Sequence, residues 1–467
     1  MPGTFCACST PMGQSGIAVI RISGPMSGTG LDDCFKIIRT SGSAKVISQM
    51  EGYTAALADF TDPSDGSVID RVVVTRFTAP HSYTGEDMTE ISCHGGNAVK
   101  QEIFRVLFEK GIRPAEPGEF TKTAFVNGKL ALSEAEAVMN VIKSESSGAL
   151  KVSNSQVFGK LNSELSKVED TLYKVLSLIE MIVEFPEHDD TPANTDRVRK
   201  MISSAIDVLV PLKDSYAQGR LLADRLKVAL AGKPNSGKST LLNKLTGFDR
   251  AIVTDIPGTT RDTLDQDIDI NGIPVRITDT AGIRQTDDAI EAMGVERARS
   301  SIREADLCLF LISPDDPADE VIEQLSCIRN SGTDIPVELV FTKSDMGIND
   351  ASEEISRKAE DLGIEKTMVI SALSDEGIDL IRKEISDFYD SLGSSSSTVI
   401  ISGRHAGLLA LASDKLMEAV NALDDGLGED IASSVIRSAL EDIGSITGKT
   451  VSNELVNTIF SDFCIGK

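Results

Sequence analysis

Apolar and polar positions alternate along the first stretch of the chain, in short runs separated by turn residues. GIAVIRISG (16–24) and VIDRVVVTRF (68–77) carry the two-residue period of strands. NAVKQEIFRVLFEKG (97–111) carries the helical period and stops at Gly111. Residues 1–120 therefore read as an α+β domain. From about residue 130 the period becomes helical. Leu161, Leu165, Val168, Leu172, Val175, Ile179 and Ile182 follow one another at spacings of 4, 3, 4, 3, 4 and 3, a seam of the kind that helix bundles bury. Pro186 and EHDD interrupt it. A further helix is expected from about 195 to 218, with Ile202, Ala205, Ile206, Leu209 and Val210 on its apolar side.

Near residue 220 the pattern changes again. KVALAG (227–232), VRITDTAG (275–282), DLCLFLIS (306–313), PVELVFTKSD (336–345) and TMVISAL (367–373) are short apolar runs with helical segments between them. This is the signature of βαβ units around a mostly parallel sheet. After the connector GSSSS (393–397) the chain reads as helical to its end. The expected architecture is multidomain, α+β and α/β, with a P-loop domain inserted into a helical one. Its boundaries are 1–120, 121–218, 219–390 and 391–467, the second and fourth being halves of the helical domain.

The full chain has 467 residues, 46 basic and 72 acidic, for a net charge of −26. Residues 1–130 hold 12 basic and 14 acidic side chains, so almost all of that charge lies beyond them. A large basic footprint for nucleic acid is excluded, and DNA with it. Seven scattered cysteines suit neither a disulfide framework nor a structural zinc site. The start of the chain lacks the charge and apolar stretch of a signal peptide, and no run of apolar residues is long enough to span a membrane. A soluble, cytoplasmic protein is expected.

GKPNSGKS (232–239) fits G-x-x-x-x-G-K-[ST] between a strand and a helix, the context that makes the motif specific. Its backbone N–H groups cradle phosphates, Lys238 reaches the terminal ones, and Ser239 holds Mg²⁺. Asn235, Ser236, Gly237 and Thr240 complete this part of the GTP site. Thr254, Asp255, Ile256, Pro257, Gly258, Thr259 and Thr260 follow; Thr260 stands 21 residues after Ser239, placed for a second magnesium ligand. Asp279, Thr280, Ala281 and Gly282 form DTAG. Thr342, Lys343, Ser344 and Asp345 form TKSD, and Ser371, Ala372 and Leu373 form SAL. A carboxylate at 345 accepts from the ring N–H and amine of guanine, which adenine cannot match. The ordered set resembles the translation-factor-like class of GTPases. Thr342 departs from that class, which has asparagine there; its hydroxyl offers fewer hydrogen-bonding groups, so weaker guanine affinity is expected while Asp345 keeps the selectivity. Ile283 follows DTAG where Ras-like proteins carry a glutamine, so a different catalytic apparatus is needed.

The chain closes with FCIGK (463–467). Together with GIAVIRISGP, YTGEDMTEISCHGG, PGEFTKTAFVNGKLALSEAEA and the GTPase motifs, that ending resembles the MnmE (TrmE) family of tRNA-modification GTPases along the whole chain. The resemblance implies a dimerising N-terminal domain with the folate-binding fold of aminomethyltransferases. It implies 5-formyltetrahydrofolate as a ligand, at Arg21, Glu90, Lys129 and Lys467. It also implies K⁺-stimulated GTP hydrolysis, with Asn235, Thr254, Ile256 and Thr259 as potassium ligands and Glu291 orienting water. Cys464 becomes a possible nucleophile. The implied partners are GTP and GDP, tRNA, a second copy of the chain, and an FAD-dependent MnmG-type protein. With these the family adds an aminomethyl or carboxymethylaminomethyl group to carbon five of the wobble uridine. Other readings are a regulatory or ribosome-assembly GTPase switch, and a folate-dependent aminomethyltransferase with a regulatory G domain.

Overall fold

The computed structural model describes residues 3–11, 13–40, 43–184, 191–248, 265–279, 302–330, 335–347, 350–392, 398–425 and 428–466. The chain forms two compact units. One comprises residues 1–139, 156–166 and 441–467, the other 140–155 and 167–440.

The first unit is built on strands β1 (Phe5–Cys8), β2 (Ser15–Ser23), β3 (Phe35–Thr40), β4 (Thr54–Thr61), β5 (Val68–Phe77), β6 (Met88–Gly95) and β7 (Arg113–Pro114). Among the described residues they make one sheet in the order β3-β4-β5-β6-β2-β1-β7. Neighbours run antiparallel except β1 and β7. Side chains alternate between faces, so Ile20, Ile22, Val72, Val74 and Ile91 share one buried face. The helix Asn97–Glu109 adds Ile103, Val106 and Leu107 to the same core. It ends where expected: Gly111 takes φ of +80°, and Ile112 N–H returns to Leu107 at 3.1 Å. Helices Glu119–Val126 and Asn453–Ser461 belong to this unit too. Ser452 caps the latter by accepting from Leu455 N–H at 3.2 Å. Leu132, Ala135, Met139, Val456, Phe460 and Phe463 form a second buried cluster.

In the second unit β8 (Leu226–Ala231), β9 (Asp265–Ile270), β10 (Ile273–Asp279), β11 (Leu307–Ile312), β12 (Val337–Phe341) and β13 (Thr367–Val369) form a sheet ordered β13-β12-β11-β8-β10-β9. All pairs are parallel except β9 with β10. Every residue of β11 is buried, as expected for a parallel strand covered on both faces. β9 is a polar strand, DQDIDI, at the sheet edge, absent from the apolar runs of the sequence. It reaches β10 through Asn271-Gly272, both at positive φ, a turn whose twist suits a hairpin.

The bundle seam is buried along the helix Lys160–Glu184. Its neighbour differs from expectation. In place of one helix to about 218 there are two, Thr191–Asp214 and Tyr216–Asp224. Pro211 lies inside the first and lacks the N–H its last turn needs. At the break, Ser215 Oγ accepts from Ile400 N–H at 3.0 Å. Gly219 then passes so close to the Ile400 carbonyl that an added Cβ would lie 2.0 Å from it. The helix Gly403–Asp424 packs along Thr191–Asp214. Among the described residues, no helix is long and apolar enough to cross a membrane.

Glu338 of β12 is buried with Lys366 at 3.4 Å, and Lys366 also pairs with Glu384. Burial, and then the neighbouring Glu384 carboxylate, push the Glu338 pKa up to about 7. A raised acid favours the protonated fold. Its contribution is complete in acid and is lost as pH rises from the ordinary carboxylate range through about 7. Glu338→Gln, which mimics the protonated form, should gain melting temperature relative to wild type between pH 5 and 8, by roughly 2 °C or more. An offset independent of pH in scanning calorimetry would refute this.

Candidate functional site

The segment from β8 into the helix Lys238–Phe248 is the loop that the sequence motif anticipates. Gly232 sits at φ of +133° on the back of β11, where an added Cβ would lie 2.3 Å from the Leu311 carbonyl. Asn235 and Gly237 are also at positive φ, 69° and 97°, so the loop doubles back in three places before the helix begins. Asn235 presents an exposed amide. Lys238 is 3% exposed, and its ammonium donates to the Gly232 carbonyl at 2.7 Å, the Lys233 carbonyl at 2.5 Å and Ser236 Oγ at 3.3 Å. Burial holds its pKa below the ordinary lysine value; Asp279 and Asp316 act in the opposite sense. Thr240 is exposed on the first turn of the helix.

Ser239 Oγ donates to Asp279 Oδ2 at 3.1 Å. The parallel register of β10 on β8, with Asp279 opposite Leu230, brings that carboxylate to the foot of the loop. A hydroxyl and a carboxylate side by side form the hard oxygen set that Mg²⁺ selects.

On the other side of the loop lie the ends of β12 and β13. Thr342 is buried, and its hydroxyl donates towards the Ser236 carbonyl at 2.8 Å and the Ile312 carbonyl at 3.1 Å. Lys343 takes the left-handed conformation, φ 56°, and turns the chain into the short 3₁₀ segment Ser344–Met346. Asp345 is exposed, and its Oδ1 accepts from the buried Ser371 Oγ at 2.6 Å. Ser371 is itself fixed by reciprocal backbone bonds with Glu376, at 2.9 and 3.1 Å. Ala372 packs against the apolar core while Leu373 is exposed. Sequence reasoning placed Ser371 in a motif; its grip on the Asp345 carboxylate shows only once the ends of β12 and β13 are adjacent. Thr254, Asp255, Ile256, Pro257, Gly258, Thr259, Thr260, Thr280, Ala281, Gly282, Glu291 and Lys467 lie outside the described residues.

A second constellation occupies the first unit. The register of β2 on β6 sets Arg21 opposite Glu90. Arg21 Nε donates to Glu90 Oε1 at 2.8 Å, and its guanidinium carbon lies 5.5 Å from the Tyr83 ring centre and 5.6 Å from that of Phe120. The Arg21 side chain is only 16% exposed, so it is no ordinary solvated surface charge. The end of the chain comes to the same place. The Gly466 carbonyl accepts from Arg21 at 3.4 Å and from Ser9 Oγ at 3.1 Å. Gly466 has φ of +94°, and an added Cβ would lie 2.5 Å from the Cys8 carbonyl. Lys129 is anchored farther along, donating to the Pro80 carbonyl at 3.1 Å, in the loop that carries Tyr83.

Cys464 is exposed, while its backbone carbonyl accepts from Gly118 N–H at 3.4 Å. By contrast, burial pushes the thiols of Cys6, Cys34 and Cys308 up to about 12 and that of Cys93 to about 11. Burial thus favours the neutral thiol at those four positions, whereas the nucleophilic form is the thiolate. His94 meets Asp70, Nδ1 to Oδ1 at 2.7 Å. Tyr83 and Phe120 lie in stretches that carry the resemblance but do not stand out there as site residues, and Ser9 carries no signal; their place beside Arg21 and Gly466 shows only in the fold.

The family model for the MnmE helical domain matches residues 132–464, and that for the GTP-binding protein TrmE N-terminus matches residues 4–129. Among curated proteins, the chain is 36% identical over 469 residues to the tRNA modification GTPase MnmE of Carboxydothermus hydrogenoformans, covering 100% of both chains. It is 38% identical to the protein so named from Natranaerobius thermophilus, and 39% identical to that from Caldicellulosiruptor saccharolyticus. Each of these two alignments covers 99% of both chains.

Proposed function

The chain belongs to the MnmE family of tRNA modification GTPases and hydrolyses GTP, and from this premise we propose that it couples that hydrolysis to modification of carbon five of the wobble uridine. The observation that carries the proposal is the docking of the tail beside the Arg21–Glu90 pair, which sets an exposed thiol two residues from the carbonyl that Arg21 reaches. The four-part division at 120, 218 and 390 is part of the same reading, as are a cytoplasmic location and a homodimer formed through residues 1–120.

At the nucleotide, Lys238 and the loop amides bind phosphates, and Asp345, aimed by Ser371, binds guanine. Ser239 and Thr260 would hold Mg²⁺, which neutralises phosphate charge when bound. Asn235, with Thr254, Ile256 and Thr259, would hold K⁺, and Glu291 orients the attacking water. Arg21 and Glu90 offer a fixed donor and an acceptor beside two rings, which is what a flat heterocycle such as the pterin of 5-formyltetrahydrofolate requires. Lys129 and Lys467 supply positive charge for its glutamate tail. An FAD-dependent MnmG-type partner brings the redox chemistry. It also provides basic surface for tRNA, which a chain of net charge −26 lacks.

Turnover of GTP should be much faster in KCl than in NaCl, because Na⁺ is too small for the proposed oxygen set. Asn235→Ala should remove the difference while GDP still binds. Equal steady-state rates in the two salts would exclude a potassium-assisted mechanism.

The full chain should bind 5-formyltetrahydrofolate in calorimetry. Arg21→Ala or Lys129→Ala should each weaken it about ten- to a hundredfold, the usual effect of losing a charge-assisted contact. Unchanged affinity in both variants would show that these residues do not hold the ligand.

Cys464→Ser keeps the shape of the tail but replaces a thiol with a far weaker nucleophile. Cells carrying it in place of wild type should lose the modified wobble uridine by mass spectrometry, and the purified variant should still hydrolyse GTP. Unaltered nucleosides in cells that lack the protein altogether would defeat the modification reading as a whole.

A further inference from the structure

Thr342 closes β12 underneath the phosphate loop and is 5% exposed. A threonine hydroxyl carries one hydrogen. Here the nearest acceptor is the Ser236 carbonyl at 2.8 Å, with the Ile312 carbonyl at 3.1 Å. Whichever carbonyl takes it, the single hydroxyl hydrogen is used inside the fold, and the Ser236 carbonyl is the nearer. The rest of the side chain fills the space below Gly237, where an added Cβ would stand 3.7 Å from the Thr342 Cβ, Cγ2 and Oγ1. The major edge of guanine, O6 and N7, offers acceptors only and can be read only by a donor. Thr342 has no donor left for it.

We propose that Thr342 is a positioning residue of the phosphate loop that makes no contact with the base, and that base selectivity rests on Asp345 as aimed by Ser371. The two halves of the nucleotide site are thereby separated. Thr342 bolts the loop to β11 and β12 through the Ser236 carbonyl. Asp345 is exposed, and Ser371 occupies one side of its carboxylate at 2.6 Å, leaving the remaining lone pairs for the N–H groups of guanine. The weaker guanine contact expected of threonine at this position is then, physically, a contact that is not made. The inference rests on the guanine-nucleotide site itself, so the test must separate the two.

The experiment uses the full chain with Mg²⁺ and measures affinities for GDP, inosine diphosphate, 7-deaza-GDP and 6-thio-GDP. Wild type should prefer GDP over inosine diphosphate, which lacks the 2-amino group, and Asp345→Ala should erase that preference. If wild type shows no preference, the guanine reading itself fails. Thr342→Val is isosteric and leaves a buried carbonyl without its donor. It should weaken GDP, 7-deaza-GDP and 6-thio-GDP alike, by about tenfold or more, with their ratios unchanged from wild type. Thr342→Ser, which restores the hydroxyl, should return all three to within about threefold of wild type. Thr342→Ala reads the same ratios should the valine variant not fold. The proposal is overturned if either hydroxyl-free variant brings GDP and its 7-deaza or 6-thio analogue closer together, since that would place the hydroxyl on the base. It is equally overturned if both bind GDP as wild type does.

Discussion

Phe460 and Phe463 hold the end of this chain against its beginning. They lie 4.9 Å apart, ring centre to ring centre, in a cluster with Leu132, Met139 and Val456. Burying one such ring contributes roughly 1.5–3 kcal/mol. The neighbouring backbone leaves no slack: Gly118, at φ of +66°, comes so close that an added Cβ would meet the Phe460 carbonyl at 2.7 Å. Once these rings are seated, the next three residues have one course, over Gly118 N–H and on to Ser9 and Arg21. The position of Cys464 is thus a consequence of the packing of the adjacent Phe463 and of Phe460 one turn earlier.

Polar groups in the second unit obey a comparable economy. Lys238, Thr342 and Ser371 are buried, and each donates to an oxygen on a different stretch of chain. A buried donor left unpaired is costly, so each of these bonds fixes a loop as well as a side chain. Lys238 ties the helix start to its own loop, Thr342 ties that loop to the sheet, and Ser371 ties β13 to the carboxylate after β12. Asn235, Ser239 and Asp345, which are exposed, stand on this framework.

Much of this was legible in the sequence, for physical reasons that differ by region. β2 and β5 alternate because one face of their sheet is buried, and β8 and β11 read as continuous apolar runs because both faces are. The phosphate loop was legible because glycine and lysine there answer to backbone geometry and charge. β9 was not, since an edge strand can be polar, although Asn271-Gly272 carried the turn signal that marks it. The break at Ser215 depends on the approach of Ile400, far away in sequence. Arg21 and Glu90 stand out only through the resemblance, and their pairing through the β2–β6 register, with Tyr83 and Phe120 beside them, shows only in the fold. Thr342 was legible from its motif, but its bond to the Ser236 carbonyl, 106 residues earlier, shows only in the fold.

The bond from Ser9 to Gly466 spans 457 residues. A contact that distant cannot form until residue 466 has been made, and loop closure over such a length must be met before the contact returns anything. The sheet of the first unit therefore emerges from synthesis long before residues 441–467 that complete it. Meanwhile Leu132, Ala135 and Met139 have no Val456, Phe460 or Phe463 to cover them. Each sheet is drawn wholly from one continuous stretch, Phe5 to Pro114 and Leu226 to Val369, and can close during elongation. Vectorial synthesis thus orders the assembly: the two sheets first, and the cluster around Phe460 and Phe463 after them.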